Sequence, residues 1–257
     1  MNGSSYNREI QLSHIVKKYE ASDYGFAQTV AELFEIDDLK ELHSLAPQLV
    51  EGKRLDQDNE AETYFHNEFY RKLNEGWPEL IVSFASFAGN EVAKTIKGPF
   101  LCQKTPSFRV HVPNQTAVSK WHYDSDPNHG HPDWEINVQV ALTEMKGNSA
   151  TWIETIPGLG DYKPMNLSCG EYSIFYGNKC MHGNFPNDTG KTRVSFDFRV
   201  LPCRKYDGYG KPVFSNVLLE GDEDKYSFVG KKNNPASFYG RSWDTSEGGY
   251  YDFFEGK

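Results

Sequence analysis

Two histidines and one aspartate are the residues whose types and spacing could do chemistry. His122 and Asp124 flank Tyr123, and 57 residues separate Asp124 from His182, which sits within Cys180-Met181-His182-Gly183-Asn184. On a strand, positions i and i+2 project to one side, so an imidazole and a carboxylate would stand together. Two imidazoles and one carboxylate form a facial metal triad that leaves three coordination positions open. Ten residues then intervene before Arg193, with Ser195 two beyond it. A guanidinium and a hydroxyl near the distal histidine suit the far end of a dicarboxylate, because arginine grips a carboxylate through two charge-assisted hydrogen bonds. A lone His-x-Asp is common by chance. The ordered set of His-x-Asp, His and Arg-x-Ser is far more specific.

Nearby residues compete for the same roles. Asp126, His129 and His131 follow closely, but Pro127, Asn128 and Gly130 signal a turn. His129 and His131 therefore read as loop residues at a pocket mouth, with His131 a candidate substrate contact. Arg109 either reaches substrate or pairs with a carboxylate. Asn137 and Gln139 face the expected pocket, and Asn137 is a further substrate candidate. Asp197 and Arg199 are expected to pair with each other. Trp121, Tyr123 and Trp152 are expected in the core.

These side chains need elements to hold them. Phe26, Val30, Leu33 and Phe34 recur at helical spacing, Leu39, Leu42 and Leu45 repeat the theme, and Tyr64 to Leu73 continues it. Pro78 suits a first helical position ahead of Leu80, Phe84, Phe87 and Val92. Around Pro99 the period falls to two. Phe108, Val110 and Val112 alternate with Arg109 and His111. Ile136, Val138, Val140 and Leu142 alternate with Glu135, Asn137, Gln139 and Ala141. Val194, Phe196, Phe198 and Val200 alternate with Arg193, Ser195, Asp197 and Arg199. A barrel or double-sheet jelly roll lines a polar pocket with such faces while helices cover the apolar ones. Residues 1–98 are expected to be that helical cover, 99–204 a double-stranded β-helix (jelly roll) core, and 205–257 a wrap or lid. The fold class is thus mainly β with a helical cover, in a single domain.

Composition narrows the function. The 257 residues carry 17 Phe, 15 Tyr and 5 Trp, enough to bury a core. Net charge is -9, which argues against a partner with a phosphate backbone. The longest apolar stretch, Leu80 to Gly89, is broken by Ser83 and Ser86 and is far short of the ~20 residues of a membrane span. Residues Met1 to Ser5 show no secretion signal. The four cysteines at 102, 169, 180 and 203 form no Cys-x-x-Cys, so reduced thiols in a cytoplasmic protein are expected. Cys180 lies two residues from His182, where oxidation would matter.

The segment from Phe108 to Pro202 resembles the Fe(II)/2-oxoglutarate-dependent oxygenases of double-stranded β-helix fold. Trp121-His122-Tyr123-Asp124-Ser125-Asp126, Glu135-Ile136-Asn137, Thr151-Trp152-Ile153-Glu154 and His182-Gly183-Asn184 are similar to a narrower branch. That branch holds the oxygenases of streptomycin-type and other carbohydrate-biosynthesis clusters, and is distantly similar to phytanoyl-CoA hydroxylases. The resemblance implies that His122, Asp124 and His182 hold Fe(II). It implies Arg193 as the partner of the 2-oxoglutarate C5-carboxylate, with Ser195 assisting and Thr151 and Asn184 as further contacts. The reaction implied is an O2-dependent oxidation of a C–H bond in a small polar metabolite, a sugar, aminocyclitol or nucleotide-linked precursor, with succinate and CO2 as co-products. The alternative is a cupin-like jelly roll that is no oxygenase, an isomerase or a carbohydrate-binding module.

Overall fold

The computed structural model describes residues 14–51, 63–96, 100–117, 121–125, 135–202 and 226–229. Strand β1 (Ile15–Lys18) precedes helix α1 (Phe26–Leu33) and a 3-10 segment, Leu39–Leu45. Helices α2 (Tyr64–Glu75) and α3 (Pro78–Phe87) follow, and α3 runs on through a π turn at Ala88–Val92 into Ala93–Ile96. Then come β2 (Phe100–Gln103), β3 (Ser107–His111), β4 (Ile136–Ala141), β5 (Thr151–Ile153), β6 (Lys163–Met165), β7 (Glu171–Phe175), β8 (His182–Gly183), β9 (Arg193–Pro202) and β10 (Tyr226–Val229).

The strands form two antiparallel sheets. The larger runs β1-β7-β4-β9-β2-β10, with β3 also pairing β9. The smaller runs β6-β5-β8. This is the jelly-roll architecture expected, with sheets that do not close into a barrel among the described residues. The long β9 is the spine: β4 lies along one edge, while β3 and β2 share the other.

Alternation on β9 decides what goes where. Val194, Phe196, Phe198 and Val200 are all buried under the helices. Phe196 meets Phe26 at 5.5 Å between ring centroids, and Phe198 meets Phe84 at 4.8 Å. Phe69 of α2 stacks on Phe108 of β3 at 4.3 Å. Each such aromatic pair adds about 0.5–1.5 kcal/mol beyond its buried area. Arg193, Ser195, Asp197 and Arg199 face the opposite way, as strand geometry requires. On β4 both faces are buried, so Asn137 and Gln139 do not meet water.

Two parts of the helical reading change. Ile15–Lys18 is a strand on the edge of β7, not a helix. Leu39, Leu42 and Leu45 lie on a 3-10 segment, whose three residues per turn match their spacing, and Leu45 is 44% exposed. Of the expected 205–257 wrap, only 226–229 falls within the described residues, as a strand antiparallel to β2.

Two buried histidines tie the fold to pH. His66 on α2 faces Thr63 Oγ1 at 2.7 Å, and burial, helped by Arg109, lowers its pKa to about 4. His111 on β3 lies between the carbonyls of Gln115 and Ser149, and burial, helped by Arg193, lowers its pKa to about 3. Both are neutral in the fold and ordinary when unfolded, so the unfolded chain binds more protons below about pH 6.5. Stability should therefore be full above pH 6.5 and fall as pH drops toward 4. The slope is on the order of 1.4 kcal/mol per pH unit for each histidine. Urea denaturation from pH 7.5 to 4.5 checks this. A midpoint flat across that range would show that neither histidine is held neutral.

Candidate metal centre

The three candidate ligands come from different elements. His182 opens β8. His122 forms a lone bridge to it, with reciprocal backbone bonds of 3.0 Å and 2.8 Å. Asp124 follows in a turn, not on a strand as the i, i+2 argument had it. Its amide donates to the Gly177 carbonyl at 3.0 Å, and the Ser125 amide donates to Asn178 at 3.2 Å. The turn, not a pleat, brings the carboxylate beside the imidazoles.

The geometry could hold a metal ion. The ligand atoms of His122, Asp124 and His182 all lie within 4.8 Å of one another. Asp124 Oδ1 is 3.4 Å from His122 Nε2 and 3.9 Å from His182 Nε2. Cis ligands about 2.1 Å from a common ion stand roughly 3 Å apart, so a small closure suffices. Asp124 is buried, yet Oδ1 has no hydrogen-bond partner among the described residues. A buried carboxylate oxygen left without a hydrogen bond is costly, and a cation there would satisfy it. His182 Nδ1 contacts the Cys180 carbonyl at 3.0 Å, which turns Nε2 and its lone pair toward Asp124. Burial lowers the His182 pKa, against the pull of Asp124, so the ring favours the neutral form a metal needs. Burial works to raise the Asp124 pKa, but His122, His182, Arg199 and Asn137 together hold it well below the usual carboxylate range.

Arg193 lies on the inner face of β9 with 1% of its surface exposed. Its Nε donates to the Ser149 carbonyl at 3.1 Å and its Nη1 to Ser195 Oγ at 3.0 Å. Nη2 has no partner among the described residues. Burial lowers its pKa to about 10, still charged at neutral pH. A buried cation with an unused donor calls for an anion. One pocket is lined by His122, His182, Arg193, Thr151, Asn184 and Arg109 among others, so the two histidines and the arginine share a cavity.

Other assignments are redistributed. Arg109 Nε holds Asp197 Oδ2 at 3.0 Å, and Gln139 donates to both Asp197 and Thr151. Arg199 does not pair with Asp197. Its Nε sits 3.0 Å from Glu135 and its Nη2 3.6 Å from Asp124 Oδ1. Asn137 lines the same cavity and donates to Asp124 Oδ2 at 2.6 Å. Asn184 donates to the Ala150 carbonyl at 3.0 Å. Cys180 is buried and its thiol is pushed up to about 12, so it lacks the thiolate that oxidation needs. His129 and His131 lie outside the described residues. Trp121 and Trp152 are only partly buried, and join Tyr162 and Phe185 in an aromatic cluster on the small sheet.

Two residues that sequence reasoning gave no role belong to the site's frame. Glu135 is fully buried opposite Arg199, and its place two residues before Asn137 on one strand face was the available signal. Glu154 accepts from the backbone amides of Gly158, Gly160 and Met181, pinning a loop beside His182.

Comparison with known proteins follows the same lines. No protein-family model matches the chain. It is 34% identical over 190 residues to the streptomycin biosynthesis protein StrG of Streptomyces griseus, covering 74% of this chain and 85% of StrG. Among solved structures, the non-haem α-ketoglutarate-dependent carbocyclase SnoK from nogalamycin biosynthesis matches with a TM-score of 0.48 and 12% identity, over 89% of this chain and 96% of SnoK. CytC3 with Fe(II) and α-ketoglutarate matches with a TM-score of 0.41 and 20% identity, over 84% of this chain and 86% of CytC3.

Proposed function

The chain belongs to the family of the streptomycin biosynthesis protein StrG, and from that premise we propose that it is an Fe(II)- and 2-oxoglutarate-dependent dioxygenase acting on a small polar metabolite. The observation that carries this reading is a pair of buried polar atoms without hydrogen bonds among the described residues: Asp124 Oδ1, beside the imidazoles of His122 and His182, and Arg193 Nη2, on a residue that shares a cavity with those two histidines. A binding module needs neither.

His122, Asp124 and His182 hold the metal, which with 2-oxoglutarate and O2 supplies the oxidising power for a C–H bond. Arg193 fixes the C5-carboxylate of 2-oxoglutarate, with Ser195 orienting the guanidinium and Thr151 lining the same cavity. The buried position of Arg193 keeps water away from that ion pair, so its attraction is only weakly screened. His111, held neutral beside Arg193, adds no competing charge. The protein's share of the chemistry is positioning and dryness.

The substrate read from the pocket is rich in hydroxyl or amino groups, a sugar, aminocyclitol or nucleotide-linked precursor. Arg109, Gln139, Asp197 and Arg199 line the cavity with donors and acceptors, beside Phe175. The name of the relative StrG, from streptomycin biosynthesis, supports that class. Succinate and CO2 are the co-products.

Anaerobic addition of Fe(II) and 2-oxoglutarate to the purified protein should give a metal-to-ligand charge-transfer band. Candidate sugars and aminocyclitols should then accelerate 2-oxoglutarate conversion to succinate in air. A protein that binds Fe(II) but gives neither the band nor succinate would sink the reading.

A further inference from the structure

We infer that Asn137 is a positioning residue that makes Asp124 present a single oxygen to the metal, with Gly177 providing the space in which its amide sits. The inference rests on the metal-centre reading above and goes beyond it, because it concerns how many coordination positions the protein leaves open.

The orientation of the Asn137 amide is fixed by chemistry. The Asn137 Nδ2 stands 2.6 Å from Asp124 Oδ2 and donates to it, since a carboxylate can only accept. Oδ2 is thereby occupied, and Oδ1, facing both histidine Nε2 atoms, is the oxygen left over. The Asn137 carbonyl oxygen is turned toward Gly177. A Cβ built on Gly177 would stand 2.8 Å from that oxygen and 2.9 Å from the Phe175 ring, closer than real Cβ contacts allow. The Gly177 carbonyl also receives the Asp124 amide. One glycine thus seats both the backbone of the ligand residue and the amide that orients its carboxylate.

The consequence is a count. Two imidazoles and one carboxylate oxygen leave three of six octahedral positions free. A carboxylate turning to bind through both oxygens would take a fourth position. It would then compete with a chelating oxo acid. Asn137 prevents that turn by engaging Oδ2, and it lies opposite Arg199, whose Nη2 comes within 3.6 Å of Oδ1.

The test uses the full chain, stripped of metal and titrated with Co(II), whose visible absorption reports coordination number and geometry. Asn137→Ala removes the donor, and Asn137→Asp keeps the size while replacing the donor with an acceptor. Both should keep the wild-type circular dichroism. Both should lower Co(II) affinity by about 10- to 100-fold, the usual effect of losing an outer-shell partner. Their Co(II) spectra should shift, and 2-oxoglutarate should bind the Co(II) form more weakly. Gly177→Ala, which pushes on the amide from the other side, should shift the spectrum the same way. Wild-type Co(II) affinity and spectrum in both Asn137 variants would overturn the inference. If those variants fail to fold, a wild-type spectrum in Gly177→Ala would overturn it instead. Asp124→Ala run in parallel separates the two levels. If it too bound Co(II) like wild type, the metal centre itself would be misassigned.

Discussion

Arg193→Met should weaken 2-oxoglutarate binding by roughly 30-fold to several thousand-fold while leaving metal affinity nearly unchanged. The range follows from the about 2–5 kcal/mol lost when one member of a buried charge pair is truncated. Methionine retains most of the side-chain volume, so the packing of β9 is disturbed little. In the protein, Ser149 and Ser195 engage Nε and Nη1, and Nη2 is the guanidinium nitrogen without a partner among the described residues. The charge-transfer band, measured anaerobically against 2-oxoglutarate concentration, reads the affinity directly. Unchanged affinity in the variant would pass the anchoring role to Arg109 or Arg199, the other arginines lining the cavity.

The second large effect belongs to the triad. His122→Ala, Asp124→Ala and His182→Ala should each lower iron affinity by more than 100-fold, since each removes a ligand where loss of an outer-shell partner alone costs about 10- to 100-fold. Turnover of 2-oxoglutarate should disappear with it. Asp124→Ala is the most informative of the three, because it also deletes a buried charge facing Arg199. Iron-dependent succinate formation at a near-normal rate in any of them would remove that residue from the ligand set and bring His129 or His131 forward.

Much of this was legible from residue order, and the reasons are physical. The alternation of β9 announced its two faces because every second residue from Arg193 to Arg199 is polar and the intervening ones are large and apolar. A ten-residue strand leaves little freedom in such a pattern. The convergence of His122, Asp124 and His182 was legible as a set but not as geometry. Its turn is fastened by the backbone of Gly177 and Asn178, far along the chain. Charge pairing was misread for a related reason. Asp197 and Arg199 share a face, but diagonal neighbours on adjacent strands, about 7–8 Å away, are also within reach of long side chains, so spacing along one strand does not decide the pairing. Asp197 thus takes Arg109 from β3, and Arg199 takes Glu135 just ahead of β4. The four-residue β1 gave no signal because half-buried edge strands that short carry no period.

The reciprocal backbone bridge between His122 and His182 has a thermodynamic reach beyond the site. Its two residues meet only when chain segments far apart in sequence have already been brought together, so the unfolded chain has no equivalent of it. Any ion held there is a ligand of the native state alone. Such a ligand raises the free energy of unfolding by about 2.7 kcal/mol at a hundred times its dissociation constant, and by still more as its concentration climbs. The melting temperature of this protein should therefore act as a gauge of free metal, rising with each increment of iron and falling back on chelation, with no turnover required to read it.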